Sequence, residues 1–540
     1  MLRPILLVSL FLVSCTLFSQ EIKFDTVPCQ PVKKSFVHLL HADITRFDEA
    51  VDPDAWILVG NVKFRRDSMY MFCDSAHYYQ KENSFLAFGN VRMEQGDTLS
   101  LYSEYLDFDG VANVARARKN VRLMDKDVVL ETDSLDFDRN RNLGYFFEYG
   151  VLYDGTGALR SYYGDYSVDT KKAVFIDDVT LENSRFLLLS DTLHYNTNNN
   201  LATIVGPTNI YTGSTEVYSE HGTYNTSTRH ATLVERPVLY NDNRTVTADS
   251  IFYDTGAGYS EVFGNIVYTD TINRNMLTGE YAFLDELKDS AYVTGRAMAV
   301  DFSKRDSLYV HSDTIWTVSY NLDTDSLYRL VKAYHKVRAW GRDMQAVCDS
   351  LVFDSRDTCL TMYNDPILWN GKLQLLGETV KVYMKDSAID WVNIINQSLY
   401  VEKLDSSIYN QIRGKEMQFF FTDGELREMQ VIGSVELVFY PLDSDSTYLG
   451  MNTTTAGRTI AYMKDRKVEK VVVPKESKGV FYPMSKRPEN KRFLENFAWF
   501  DYVRPLSKED IFNWRGKDAN QELKVIKKNK VPLPTLDRFK

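Results

Sequence analysis

The chain has 540 residues and a formal net charge of −11, and 44% of it is hydrophobic and 13% aromatic. With 34 Tyr and 30 Phe against 14 Pro, it has the content of extensive sheet and not of a disordered chain. The acidic balance argues against general binding to nucleic acid or to an anionic membrane surface, and five cysteines are far too few for a disulfide scaffold at this length.

Residues 1–20 carry one basic residue, Arg3, followed by an apolar run of about 14 residues, too short to span a bilayer and of the form of a secretory signal. Two processing routes fit it. Cleavage after Ser19 or Gln20 gives a soluble exported product; Leu12-Val13-Ser14-Cys15 resembles a lipobox and would lipidate Cys15. No later stretch is apolar for long enough to predict a transmembrane helix.

Residues 21–55 form a lead-in that contains a worn first repeat, His41-Ala42-Asp43-Ile44-Thr45-Arg46-Phe47. From there two phrases alternate. The first is Gly-Asn-Val or a relative, at Gly60, Gly89, Lys119, Gly150, Asp178, Gly206, Arg236, Gly264 and Gly295. The second is Asp-Ser/Thr-x-x-aromatic or a relative, at Asp74, Glu104, Asp133, Asp191, Glu220, Asp249, Glu280 (one place late), Asp313, Asp349, Glu378 and Glu416 (one place late). The spacing within each series is about 29 residues up to Glu280 and stretches beyond it.

Each phrase sits in a period-two pattern, such as Val62-x-Phe64 or Leu135-x-Phe137, which predicts strands with one buried face. Turn signals part them at Asp109-Gly110, Asp138–Asn142, Asn196–Asn200, Asn241–Asn243 and Asp254–Gly258. The glycine predicts a turn or a close backbone approach. The repeated acid predicts a bend whose backbone N–H groups it caps; a dozen identical catalytic carboxylates would be a strange enzyme.

A single repeat cannot bury its apolar face, so stacked copies must share one core. About fourteen repeats of roughly 30 residues predict an all-β rod, on the order of 130 Å long at about 4.8 Å per rung with two rungs per repeat. Residues 56–475 form this body. Residues 476–540 read as a C-terminal cap or docking segment, with a short helix or turn within 485–515 and a basic end at Lys524–Lys530. Cys348 and Cys359 flank one hairpin, and either a disulfide or two buried thiols fits.

No phosphate-binding glycine loop, zinc motif or nucleophile elbow is legible. No metal site, no cofactor and no catalytic residue are expected. His38, His41, His77 and His194 read as ordinary surface or half-buried histidines. Arg65-Arg66, Arg116 with Arg118-Lys119, and Lys171-Lys172 read as solvated turn residues.

The register of the two phrases, clearest at Gly60-Asn61-Val62 with Asp74-Ser75, Gly89-Asn90-Val91 with Glu104, Lys119-Asn120-Val121 with Asp133-Ser134, and Gly264-Asn265-Ile266 after Asp249-Ser250, resembles the OstA-like family. The likeness covers about 41–475. This family comprises the periplasmic lipopolysaccharide transport bridge protein and the N-terminal domain of the outer-membrane lipopolysaccharide assembly protein. The resemblance implies an elongated β-jelly-roll or β-taco, open along one side, whose apolar groove shields acyl chains, and it gives Arg65-Arg66, Arg116 with Arg118-Lys119, and Lys171-Lys172 a second reading as contacts for lipid phosphates at the groove rim. It implies a periplasmic location, associated with the outer membrane if Cys15 is lipidated. As partners it implies lipopolysaccharide, an inner-membrane export complex and an outer-membrane assembly protein, joined through end-to-end strand pairing; no nucleic acid is expected.

The chain departs from the family pattern in having far more repeats than the short bridge protein. It also leaves only 65 residues after 475, too few for a transmembrane barrel. The candidate groove residues are Val62, Phe64, Val91, Met93, Val121, Leu123, Leu135, Phe137, Val179, Leu181, Leu193, Tyr195, Ile251, Tyr253, Ile266 and Tyr268; ordinary core packing is the competing reading for each. Two other functions stay open. One is a structural or protein-binding periplasmic scaffold, which a sealed core would favour. The other is a carbohydrate-processing β-helix enzyme, which would need clustered carboxylates on adjacent rungs.

Overall fold

The computed structural model describes residues 35–516 except 255, 304, 305, 323, 386, 387, 444, 446, 465 and 466. The signal segment, Cys15, Cys29 and the basic end at 524–530 lie outside the described residues. Among those described, regular structure is 36 strands and four 3-10 turns, and every strand joins one antiparallel ladder.

The period-two pattern explains the strands, and the two repeated phrases explain why they bend. Asp52–Arg66 pairs with Met69–Tyr79, but the register breaks between Val59 and Val62. Met69–Tyr79 pairs with Ser84–Gln95 with a break between Phe72 and Ser75. The next breaks fall at Phe88/Val91, Tyr102/Tyr105 and Arg118/Val121. Each strand is thus a V, and the breaks stack into a crease that folds one sheet into two facing walls. Wall one holds the segments 56–59, 75–79, 84–88 and their successors. Wall two holds 62–66, 69–72, 91–95 and theirs. Twenty strands run through the crease, and sixteen shorter ones meet there as eight pairs, making twenty-eight rungs. At about 4.8 Å per rung this is an elongated body on the order of 130 Å long.

Two corner types alternate along the crease. The first is a pair of left-handed residues: Gly60 and Asn61 at φ 84° and 46°, Gly89 and Asn90 at 72° and 45°, Gly264 and Asn265 at 72° and 46°. The glycine is dictated twice over at 89. Its φ is positive, and a Cβ there would lie 2.5 Å from the Asp74 carboxylate. The second corner is the acid. Its carboxylate does accept hydrogen bonds, but the donor is mostly not the backbone N–H expected. Asn61 Nδ2 donates to Asp43 at 2.9 Å, Asn90 to Asp74 at 2.8 Å, Asn265 to Asp249 at 2.9 Å, and Asn120 to Glu104. At Asp133 a backbone N–H, that of Asn120, is the donor. At these four corners the two phrases are therefore one device, the acid holding the asparagine of the neighbouring rung.

Two positions, Gly150 and Glu280, shift against the sequence reading, and at Glu416 the one-place lag is kept. At Gly150 the left-handed pair is Glu148-Tyr149. Glu280 stands at its corner, with its backbone N–H bonded to the Gly295 carbonyl at 2.9 Å. At 416 the residue opposite Gly433 is Lys415, not the glutamate.

Residues 484–515 contain no α-helix; their 3-10 turns are Met484–Lys486, Glu489–Lys491, Asp501–Val503 and Asp510–Phe512. They form a strap running back along the outer face of wall two. Its Leu494, Ala498, Phe500 and Val503 pack with Val347, Trp369, Leu399 and Met451 in a core separate from the interior. No disulfide joins Cys348 and Cys359, and both are buried.

Candidate functional site

The inner faces of the walls carry the apolar alternation. Fourteen of the sixteen candidate groove residues are buried there, and Tyr253 and Tyr268 are half-buried. The residues sequence reasoning selected thus share one lining. That lining is not uniform along the rod.

From Leu58 to Leu233 the interior is filled. Phe64 stacks on Phe85 at 4.6 Å between centroids, and Phe85 on Phe108 at 5.0 Å. Even residues near the free ends of the strands, such as Phe64, Leu123 and Phe137, are fully buried. Beyond Ala248 the lining changes. Residues at the crease, such as Ile266, Ile315, Val380 and Val431, remain buried. Those nearer the free ends, among them Val246, Leu277, Leu284, Val310, Val331, Leu360, Val382 and Phe421, are half-buried apolar groups packed on the core. An apolar trough, open at its mouth, therefore follows a filled section in the same chain.

Polar groups across the mouth account for the closed section. They occupy one repeat position, the last residue of a wall-two strand or the one after it: Gln95, Asp125 and Asp154. Gln95 accepts from Arg139 Nε at 3.1 Å and donates to Asn142 at 3.3 Å. Asp125, 2% exposed, accepts from the Tyr166 hydroxyl at 2.8 Å and pairs with Lys171 at 2.5 Å. Asp154 accepts from the Tyr195 hydroxyl, and Thr156 bridges to Thr226 at 3.2 Å. Burial, then the facing carboxylate, pushes both tyrosine hydroxyls well above their usual pKa, so they stay donors. Where this series ends, Phe186 and Tyr224 meet edge-on at 4.8 Å and floor a cleft of about 850 Å³ rimmed by Arg185 and Arg229.

Sequence reasoning missed the latch. Its members, one glutamine and two aspartates, share a position but no flanking phrase, so no motif marks them. Of the basic residues singled out, Arg116 pairs with Asp107 at 3.2 Å, Arg118 with Asp136 at 2.8 Å, and Lys171 closes the mouth. Arg66 is buried. Among the described residues no group of three or more His, Cys, Asp or Glu is placed to hold a metal, and no helix is long and apolar enough to cross a membrane. Burial pushes the Cys73 thiol up to about 12, which leaves it protonated and inert.

Residues 34–191 and 179–249 match the family model described as OstA-like protein. No curated protein matches the chain. A solved structure similar to part of it is LptH from Pseudomonas aeruginosa, titled the LptA-homologous periplasmic component of the conserved lipopolysaccharide transport device. The match is 17% identical, covers 26% of this chain and 95% of that one, and has a TM-score of 0.20; at that score it carries no argument about fold. The likeness to the OstA-like family rests on this model match and on the repeats themselves, and it covers residues 34–249.

Proposed function

We propose that this OstA-like chain is a non-enzymatic periplasmic bridge that shelters the acyl chains of lipopolysaccharide and passes the molecule from the inner to the outer membrane. The observation that carries the reading is the apolar inner face, continuous along twenty-eight rungs and half-exposed at the mouth from Val246 onward. Exposing acyl chains to water costs about 0.8 kcal/mol per CH₂. A trough without a single tight site lowers that cost at every point and lets the molecule slide. Tyr253 and Tyr268 begin the open track. The twelve candidates from Val62 to Tyr195 line the filled section, where lipid enters only if the walls part, and Ile251 and Ile266 lie at the crease of the open section.

The ends of the rod supply the partner surfaces in this reading. The first rung, His38–His41 with Ile44–Asp48, pairs among the described residues on one side only, with Asp52–Arg66, and exposes Leu40, Ile44 and Phe47. The last, Lys467–Val472 with Lys478–Pro483, pairs with Gly450–Lys464 and exposes Val471, Val480 and Phe481. Such edges extend a sheet into another protein by strand addition, here the inner-membrane export complex and the outer-membrane assembly protein.

The scaffold reading draws on the filled section between Leu58 and Leu233. Depletion separates the two. On the bridge reading, newly made lipopolysaccharide accumulates in the inner-membrane fraction when this chain is depleted. Normal delivery of lipopolysaccharide to the outer membrane in depleted cells would sink the bridge and leave the scaffold.

A further inference from the structure

Arg66 occupies the repeat position that Gln95 and Asp125 occupy one and two repeats later. Those residues reach partners across the mouth; Arg66 does not. It is 7% exposed, its guanidinium lies over the Phe108 ring at 5.5 Å, and its Nε and Nη1 are buried without a hydrogen-bond partner. Arg139 stands close enough on the facing wall for the two cations to repel, and it spends Nε on Gln95 and Nη1 on Asn113 at 2.9 Å. Burial, and then Arg66, push its pKa down to about 10. Asp67 and Asp109 act on Arg66 only at longer range. Neither arginine forms a salt bridge with a carboxylate among the described residues, whereas Arg92, Arg116, Arg118, Arg122 and Arg160 nearby all do.

A guanidinium withdrawn from water with unused N–H donors, and with a second, half-buried guanidinium on the facing wall, is costly unless an anion joins them. Arginine's planar fork matches phosphate oxygens in paired hydrogen bonds. We infer that Arg66 and Arg139 form an anion seat in the mouth of the N-terminal rungs, taking a phosphate group. The phosphate comes either from the headgroup of an amphiphile, with its chains on the apolar inner face, or as free phosphate. The headgroup source rests on the bridge reading; the seat does not.

The test uses the full chain and three probes: inorganic phosphate, bis-phosphorylated lipid A in mixed micelles, and the same lipid dephosphorylated. Binding of a phosphorylated probe is expected to weaken about tenfold or more in Arg66→Met, the scale of one lost charge-assisted contact. Without any probe, Arg66→Met is expected to melt at or above the temperature of the unaltered chain, because an unpaired buried charge is gone. Arg139→Gln, which keeps a donor for the mouth, is the second variant should Arg66→Met fail to fold, and the same loss is expected. Response to inorganic phosphate alone establishes the free source. Response only to bis-phosphorylated lipid establishes the headgroup. Equal affinity for phosphorylated and dephosphorylated lipid, with no response to phosphate, overturns the seat and leaves the bridge standing. Binding of phosphate but of neither lipid leaves the seat and overturns the bridge. No response to any probe overturns both.

Discussion

At the residue scale the fold rests on a pairing that is written in the chain but misread one element at a time. Gly89 and Asn90 turn left-handed, and Asn90 reaches back to Asp74 at 2.8 Å. Glycine and the acid were legible as turn chemistry. Their mutual contact was not, because the two lie on neighbouring rungs and only the bend brings them together. Corners without glycine were harder still: His335-Lys336 and Asn396-Gln397 adopt the same left-handed pair with no residue that announces it. The glycine corner gives a sharp expectation. Gly89→Ala forces a Cβ to 2.5 Å from the Asp74 carboxylate at φ 72°, and should cost about 2 kcal/mol. Hydrogen exchange of Met69–Tyr79 and Ser84–Gln95 reads it locally. Asp74→Ala in the same chain should recover part of the loss, since it removes the clash but not the φ strain. Protection unchanged by Gly89→Ala would contradict this account of the corner.

At the element scale the strap is the piece that sequence reasoning placed least well. Gln374 sits on an outward-facing strand position, which reads as solvated. It is instead wholly buried, donating to Ala498 O at 2.9 Å and accepting from Phe500 N at 2.8 Å and Trp369 Nε1 at 3.1 Å. Gln411 treats Arg492 O and Leu494 N the same way, each at 2.9 Å. Both side chains read two alternate residues of an extended segment, as an edge strand would. The signal was invisible because the partners lie more than eighty residues downstream. Gln374→Ala strands three buried polar groups and should cost about 3 kcal/mol, seen as lost protection across 494–503 with the rungs beneath retained. Equal loss in strap and rungs would show that the strap is no separable element.

The strap's far end also has a pH signature. Arg515, with the Leu506 N–H and Asn513, holds the Asp510 carboxyl down at about 2 from 3.8. A carboxylate held below its unfolded value contributes stability that is complete above about 3.8 and is lost as pH falls toward about 2. Docking of residues 504–515 should therefore weaken over that window. In Asp510→Asn it should be weaker already at neutral pH and insensitive to acid.

At the scale of the whole molecule, the strand period, the crease and the length all follow from a 29-residue repeat that is plain in the chain. Why one part of the rod is filled and another is a trough was not legible. Filling depends on aromatic stacks such as Phe64, Phe85 and Phe108 meeting across two walls, and closure on Gln95, Asp125 and Asp154, alike in position but with no flanking phrase in common. Such a division suits a conduit whose sections hold lipid differently.

The most direct test of that conduit uses side-chain parity within one strand. Tyr268 faces inward and is flanked by Val246 and Leu277 on the neighbouring rungs, while Thr269 faces out. A photo-crosslinker at Tyr268 should capture lipopolysaccharide in cells with an energised export system, and one at Thr269 should not. Phe137 and Leu193, in the filled section, should give adducts only as the mouth opens, and therefore fewer. Equal capture at Tyr268 and Thr269, or none at any inward position of a folded and exported chain, would contradict lipid transport through the interior.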